Sequence, residues 1–193
     1  MAKFHFFYST MNAGKSTALL QTNHNFEENN LKTLLFLPSV NNIKNKSIIK
    51  SRIGIKKEAI LANKLFNFYD YTKLNISTNL KCVLIDEAQF LTKNQVNQLS
   101  KIADNLNIPV MCYGLRTDFR GKLFEGSKML LSIADNLHEL KTICTMCTKK
   151  ATMVVRLDKN GIVETKGDII RLGGDDMYKS VCRKHFRKLT NLI

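Results

Sequence analysis

Short apolar runs alternate along the chain with segments whose apolar residues recur at helical spacing. The runs with the length of buried strands cover residues 3–8, 32–37, 81–85 and 109–113. The segments with helical periodicity cover residues 15–29, 58–68 and 94–106. Strands that alternate with helices form a parallel sheet with helices on both faces. We therefore predict an α/β fold for this part of the chain.

The pattern changes after about residue 143. A hairpin is predicted from the apolar segment 151–157 and the Asn160-Gly161 turn. We therefore divide the chain into an α/β domain over residues 1–142 and a small C-terminal unit over residues 143–193. Within the first domain, the Lys- and Asn-rich stretch 41–57 is predicted to be a mobile surface loop.

A phosphate-binding loop is predicted directly after the first strand. Residues 9–16 read STMNAGKS, so Gly14, Lys15 and Ser16 fit the Walker pattern, whereas Ser9 replaces its first glycine. The loop precedes a helix, whose N-terminal amides attract phosphate oxygens. In this arrangement Lys15 binds the β- and γ-phosphates of ATP and Ser16 ligates Mg²⁺. The remaining loop residues assigned to the nucleotide site are Thr10, Met11, Asn12 and Ala13.

An acidic pair ends a later apolar strand. The segment CVLIDEAQF places Asp86 and Glu87 where parallel sheets bind their ligands. Asp86 is predicted to hold Mg²⁺, and Glu87 is the candidate base for an attacking hydroxyl group. Ala88 and Gln89, which follow directly, are assigned to the same nucleotide-binding segment.

Two pairs of soft ligands lie near the C-terminus, and each pair has two residues between its members. The pairs are Cys144 with Cys147 and Cys182 with His185. This spacing is typical of side chains that share one tetrahedral zinc ion. Four protein ligands leave no position for water, so we predict a structural zinc. The other two cysteines, Cys82 and Cys112, lie in apolar runs and are predicted to be core residues.

The chain has 193 residues and a formal net charge of +14. The excess is mostly lysine, which favours biased residue usage over a nucleic-acid site. No apolar run reaches the roughly 18 to 20 residues of a transmembrane helix, and the N-terminus lacks a signal-peptide pattern. We therefore expect a cytoplasmic protein that binds neither a membrane nor a specific nucleic acid. His5 and His138 show no ligand spacing and are expected to be structural or surface residues.

Several further segments follow one another in a characteristic order. Besides YSTMNAGKST and LIDEAQFL, they are SRIG, GLRTDFRGKLF, ELKTIC, Gly173-Gly174 and Tyr178 followed by SVCRKH. Over nearly the whole chain, this order and spacing resemble the type II thymidine kinases. The resemblance implies a RecA-like parallel sheet, a zinc-bearing unit with a lasso loop, and a homotetramer. It also implies Mg²⁺-dependent transfer of the γ-phosphoryl group of ATP to the 5′-hydroxyl of thymidine, with deoxyuridine expected as a second acceptor.

The resemblance adds two catalytic residues to Lys15 and supports the magnesium-binding role of Asp86. Glu87 takes the position of the general base, Asp86 that of the magnesium-associated aspartate, and Arg52 that of the arginine near the 5′-hydroxyl group. Ser9 and Thr10 stand where many animal members have Gly-Pro, but the chemistry depends on Lys15 and Ser16, which are present.

The resemblance also assigns the base pocket. The side chains implied around the thymine ring are those of Met11, Leu115, Phe119 and Phe124. Because charged residues flank Phe119 and Phe124, a place in the pocket is favoured over a place in the core. Tyr178 matches the lasso tyrosine. The backbone that matches the segment bonded to the base edge belongs to Ile169, Ile170 and Arg171.

Two other functions are compatible with the sequence alone. A nucleic-acid-binding zinc module carried on an ATPase would explain the net charge and the Cys/His pairs. A P-loop NTPase that uses water as acceptor would explain the phosphate loop and the acidic pair. Retention on DNA at moderate salt would favour the first alternative, and ATP turnover independent of thymidine would favour the second.

Overall fold

The computed structural model describes residues 1–39, 48–169 and 177–193. The strands of its main sheet are β1 (Phe4–Ser9), β2 (Lys32–Pro38), β5 (Ile60–Ala62), β6 (Leu80–Ile85), β7 (Val110–Leu115) and β8 (Asn136–Glu139). All six run parallel, in the order β5-β2-β6-β7-β1-β8. The four strands predicted from apolar runs are β1, β2, β6 and β7, which form the centre of the sheet. The predicted parallel α/β architecture is confirmed.

Helices cover both faces of this sheet. They are α1 (Lys15–Glu28), α2 (Phe68–Leu74), α3 (Lys93–Leu106) and α4 (Glu125–Ile133). A fifth helix, α5 (Arg183–Thr190), packs within the C-terminal unit. On one face, Leu19 and Leu20 of α1 pack in a cluster with Leu84 and Tyr113. On the other face, α2, α3 and α4 close a larger core that includes Phe36. No helix in the described part of the chain is long and apolar enough to cross a membrane.

The prediction of a helix over residues 58–68 is wrong. β5 occupies part of this segment and pairs with β2, with Ile60 opposite Phe36 in register. Helix α2 begins only at Phe68, after Asn67, whose side chain accepts a hydrogen bond from a first-turn amide. Pairing with a neighbouring strand therefore outweighs the local helical pattern.

Residues 48–57 are not the loop that their composition predicts. β3 (Ile48–Lys50) and β4 (Lys56–Glu58) form an antiparallel ribbon. The Ser51 amide donates to the Ile55 carbonyl over 2.8 Å and closes the turn between them. Ile49 is buried in the core and anchors this ribbon. Arg52 thus lies on a structured turn, while residues 41–47 of the predicted loop lie outside the described residues.

The C-terminal unit contains a second, antiparallel sheet. Its strands are β9 (Met153–Leu157), β10 (Val163–Glu164) and β11 (Tyr178–Val181), in the order β10-β9-β11. β9 and β10 confirm the predicted hairpin. A small apolar core joins this sheet to Phe186 of α5. The division of the chain at residue 142 stays a prediction.

Cys82 and Cys112 are fully buried in the main sheet, as predicted. His5 and His138, in contrast, have a partner that the sequence does not reveal, namely each other. Nδ1 of His5 lies 3.1 Å from Nε2 of His138, because β1 and β8 are adjacent. Burial lowers the pKa of His5, and the neighbouring His138 and Lys3 lower it further, whereas Asp135 raises it.

Candidate active site

The loop between β1 and α1 has a backbone suited to phosphate. Asn12 and Gly14 adopt left-handed conformations, with φ values of 62° and 75°. Gly14 is the N-cap of α1, and a glycine offers no side chain to the amides of the first helical turn. These amides are therefore able to bind phosphate oxygens.

Lys15 is buried in the loop with only 8% of its surface exposed. Its ammonium group donates to the Thr10 carbonyl over 2.8 Å and to the Ser9 hydroxyl over 3.3 Å. A buried charge needs such acceptors. Ser9, which replaces the Walker glycine, therefore helps to orient the lysine within the loop.

The acidic pair lies at the carboxyl end of β6. Asp86 is buried, its carboxylate accepts a hydrogen bond from the Glu87 amide over 3.0 Å, and it interacts with the Ser16 side chain. Burial and the nearby charge of Glu87 raise the pKa of Asp86 to about 7, against the opposing effects of Ser16 and Lys15. A cation at this position would favour the ionised carboxylate.

Gln89 connects Glu87 to the neighbouring strand. Its amide nitrogen donates to the Glu87 carboxylate, and its amide oxygen accepts the Leu115 backbone N–H over 2.9 Å. A side chain at Gly114 would place Cβ 2.9 Å from that amide oxygen, so the close approach requires glycine. Gln89 and Ala88 are both buried. Gln89 therefore orients the carboxylate of Glu87, the candidate base.

A cavity of about 330 Å³ joins the phosphate loop to Glu87. The predicted site residues that line it are Met11, Asn12, Ala13, Gly14, Lys15, Ser16, Arg52, Glu87 and Leu115. The structure adds Thr17, Lys50, Ser51 and Ile53. The three predicted catalytic residues, Lys15, Arg52 and Glu87, thus share one cavity.

The residues predicted to surround thymine are only partly brought together. Met11 and Leu115 line the cavity, whereas Phe119, Phe124 and Tyr178 do not. Phe124 is half-buried beside Phe90, Tyr178 is half-buried in β11, and Ile169 is exposed. Ile170 and Arg171 lie outside the described residues.

Phe119 is only 1% exposed, although charged residues flank it in the sequence. One of these neighbours, Asp118, forms an ion pair with Arg120, whose Nη2 lies 2.7 Å from the Asp118 carboxylate. On the ring itself lies the guanidinium of Arg156, whose central carbon is 3.7 Å from the ring centroid. The adjacent charges therefore do not prevent burial of the ring.

Two hydrogen bonds attach the phosphate loop to residues much later in the chain. The sequence indicates neither of them. The Ser180 hydroxyl in β11 donates to the Met11 carbonyl over 2.6 Å. The Thr142 hydroxyl donates to the Asn12 carbonyl over 3.4 Å. These partners are 169 and 130 residues apart in the chain, so no local pattern could have revealed them.

The four predicted metal ligands form one cluster that could hold a metal ion. The donor atoms of Cys144, Cys147, Cys182 and His185 all lie within 4.8 Å of one another. The sulfurs of Cys147 and Cys182 are 3.9 Å apart, close to the edge of about 3.8 Å in a tetrahedron with Zn–S bonds of about 2.3 Å.

The ionisation of one ligand also fits a metal site. Burial acts to raise the pKa of the Cys144 thiol, but hydrogen bonds from the backbone of Cys182 and Met146 and from His185 lower it to about 6. The thiolate is the form that binds metal. The Cys144 side chain is therefore suited to bind a cation.

The family model for thymidine kinase matches residues 2–186. The chain belongs to the thymidine kinase family. A thymidine kinase from Mannheimia succiniciproducens is 52% identical over 194 residues, which cover 100% of this chain and 99% of that protein. Thymidine kinases from Aliivibrio fischeri and Coxiella burnetii are each 51% identical over 189 residues, covering 97% of this chain and 98% and 96% of those proteins. The resemblance inferred from the motifs is confirmed.

Thymidine kinases use ATP as the phosphoryl donor, so the phosphate loop has a defined ligand in this family. The cavity between that loop and Glu87 is the candidate active site, because it combines anion-binding amides with a carboxylate.

Proposed function

We propose that this chain transfers the γ-phosphoryl group of ATP to the 5′-hydroxyl group of thymidine, giving dTMP for nucleotide salvage. Membership in the thymidine kinase family supports this reaction. The observation that carries the assignment to residues is the shared cavity of the phosphate loop, Arg52 and Glu87.

Positive groups around the cavity stabilise the transferred phosphoryl group. In phosphoryl transfer, negative charge spreads over the equatorial oxygens of that group. Lys15 and the amides of residues 11–16 bind the β- and γ-phosphates. Arg52, on the turn between β3 and β4, supplies further positive charge to the cavity. Groups already oriented in this way need little reorganisation during the reaction.

Glu87 acts as the general base. Its carboxylate accepts the proton of the 5′-hydroxyl group as the oxygen attacks the γ-phosphorus and ADP leaves. The hydrogen bond from Gln89 fixes the orientation of this carboxylate. The left-handed backbone at Glu87, with φ of 49°, is an uncommon conformation for glutamate and is consistent with a functional constraint.

Asp86 and Ser16 would hold Mg²⁺. Both offer oxygen ligands, which Mg²⁺ prefers, and their side chains interact with each other. Burial and the nearby charge of Glu87 raise the pKa of Asp86, and a bound cation would favour its ionised form. When bound, the ion neutralises phosphate oxygens of ATP.

The proposed thymine pocket consists of Met11, Leu115, Phe119, Phe124 and Tyr178, with the backbone of residues 169–171 at the base edge. Met11 and Leu115 support this proposal, because they line the cavity. Deoxyuridine is proposed as a second acceptor, since one methyl group is worth only about 1 to 3 kcal/mol in such a pocket.

Zinc at the cluster of three cysteines and one histidine is proposed to be structural. The four ligands connect the segment before β9 to the start of α5, and a tetrahedral ion would stabilise the C-terminal sheet. A homotetrameric, cytoplasmic enzyme is proposed from the family resemblance. Light scattering of the purified protein measures the oligomeric state directly.

The experiment that tests the function is ADP release by the purified protein with thymidine, with deoxyadenosine, and with no acceptor. We expect ADP release that depends on thymidine. ADP release that is equally fast without an acceptor would establish a hydrolase and refute the proposal. Efficient use of deoxyadenosine would refute the pyrimidine pocket.

A further inference from the structure

Arg156 in β9 is a buried cation located where parts of the proposed thymidine site meet. It lies opposite Tyr178 of β11 and opposite Glu164 of β10 in the strand register. Directly opposite residues on paired strands present their side chains to the same face of a sheet. The Arg156 guanidinium also stacks on the ring of Phe119, which belongs to the loop after β7.

The hydrogen bonds of Arg156 extend to the chain that leads into Ile169. Nη1 donates to the Asp168 carbonyl over 2.6 Å, and Nη2 reaches the Lys166 carbonyl at 3.4 Å. Nε pairs with the carboxylate of Glu164. A planar guanidinium can make these contacts and stack on an aromatic ring at once, and a lysine ammonium cannot.

Gly167 shows independently that this segment is folded around the guanidinium. Its φ of +113° is strained for any residue with a side chain. A Cβ atom at this position would also lie 2.9 Å from Nη2 of Arg156. Residues 166–168 can therefore adopt this path only with glycine at position 167.

Arg156 is only 2% exposed, and a buried charge is costly unless its hydrogen bonds are satisfied. Its contacts do not reach the phosphate loop; they go to Phe119 and to the segment before Ile169. We propose that Arg156 is a positioning residue for thymidine, which fixes the Phe119 ring and residues 166–168 in one geometry. The inference rests on the proposed function, because Phe119, Tyr178 and Ile169 are thymidine contacts only under it.

A positioning role predicts a specific kinetic signature. Loss of the guanidinium displaces groups that contact the base in both the ground state and the transition state, so thymidine binding weakens. The ATP contacts of Lys15 and the base Glu87 stay in place. The KM for thymidine should therefore rise, while the KM for ATP and kcat stay close to their original values.

The first test substitutes Arg156→Lys and Arg156→Gln. We expect the KM for thymidine to rise about tenfold or more, since small displacements of binding groups have effects of this size. Arg120→Gln is the matched control, because Arg120 lies 5.6 Å from the same ring but is partly exposed. It should change the KM for thymidine by no more than about twofold, because the Arg120 guanidinium bonds to Asp118 and not to the segment before Ile169.

The second test keeps Arg156 and perturbs its contact, so it does not depend on folding of the arginine variants. Gly167→Ala introduces the Cβ atom that approaches Nη2 and should raise the KM for thymidine in the same way. Gly161→Ala is the control, because Gly161 also has a positive φ but has nothing within 4 Å of the added Cβ. Thermal unfolding and zinc content of every variant show whether the fold is intact.

The outcomes separate this inference from the proposed function. An unchanged KM for thymidine in folded Arg156→Lys and Gly167→Ala proteins overturns the positioning role. A loss of kcat with both KM values unchanged also overturns it, because that result indicates a smaller fraction of folded enzyme. If the original protein fails to phosphorylate thymidine, the proposed function fails first, and the inference fails with it.

Discussion

Gln89→Leu tests whether Glu87, the candidate base, depends on its hydrogen bond with Gln89. The Gln89 amide is 2% exposed and joins the Glu87 carboxylate to the Leu115 amide. Leucine has a similar size but makes neither hydrogen bond. The substitution therefore removes the orientation of Glu87 and leaves the Leu115 N–H without its acceptor.

The expected magnitudes follow from these two contacts. An N–H group left without its partner costs about 1 to 3 kcal/mol of unfolding free energy. For a chain of this size, a cost of about 2 kcal/mol corresponds to a fall in Tm of about 4 to 8 °C. Removal of a general base typically lowers the rate about 10²- to 10⁴-fold. Loss of its orientation alone should have a smaller effect, so kcat should fall by about 10²-fold or less.

The assay is steady-state dTMP formation at saturating ATP and thymidine, together with thermal unfolding. Gln95→Leu is the matched control, because Gln95 is an equally buried glutamine in the capping box of α3. The control should lose stability and keep kcat. Equal kcat for Gln89→Leu and the original protein, or an equal loss of kcat in both variants, would refute the role of Gln89.

Three further predictions concern the phosphate loop, the metal cluster and the histidine pair. Lys15→Ala should weaken ATP use in KM and kcat together, because the ammonium contacts phosphate before and during transfer; unchanged ATP kinetics would contradict the loop assignment. Cys147→Ser should release zinc, lower Tm and raise the KM for thymidine, which elemental analysis, calorimetry and kinetics can measure. Because the pKa of His5 is lowered in the folded protein, its neutral form stabilises the fold at pH values above the usual histidine pKa of 6.5. This contribution is lost as the pH falls through the lowered pKa. His5→Phe should therefore reduce the fall in Tm on acidification, and an unchanged pH dependence would contradict the pairing.

The parts of the fold that sequence predicted are those encoded locally. β1, α1 and the loop between them combine an apolar run, a glycine with φ of 75° and a helical periodicity within 30 residues. The metal cluster could be predicted equally well, because its ligands form two pairs with short spacing in the sequence.

The errors arose where distant contacts decide the conformation. Residues 58–62 have no strong strand pattern. Glu58 belongs to a strand because it pairs with β3, and Ile60–Ala62 form a strand because they pair with β2. β8 has the mixed sequence NLHE and is a strand only because it extends the edge of the sheet beside β1. The stacking of Arg156 on Phe119 is likewise absent from any local pattern, because the two residues are 37 positions apart in the chain.

The central claim is that Glu87 takes the proton of thymidine in the cavity beside the phosphate loop. The most direct measurement is single-turnover transfer of the γ-phosphoryl group from labelled ATP to thymidine, by the original protein and by Glu87→Gln. We predict labelled dTMP from the original protein, and from Glu87→Gln a rate about 10²- to 10⁴-fold lower with ATP binding retained. Transfer by Glu87→Gln at the original rate would contradict the account.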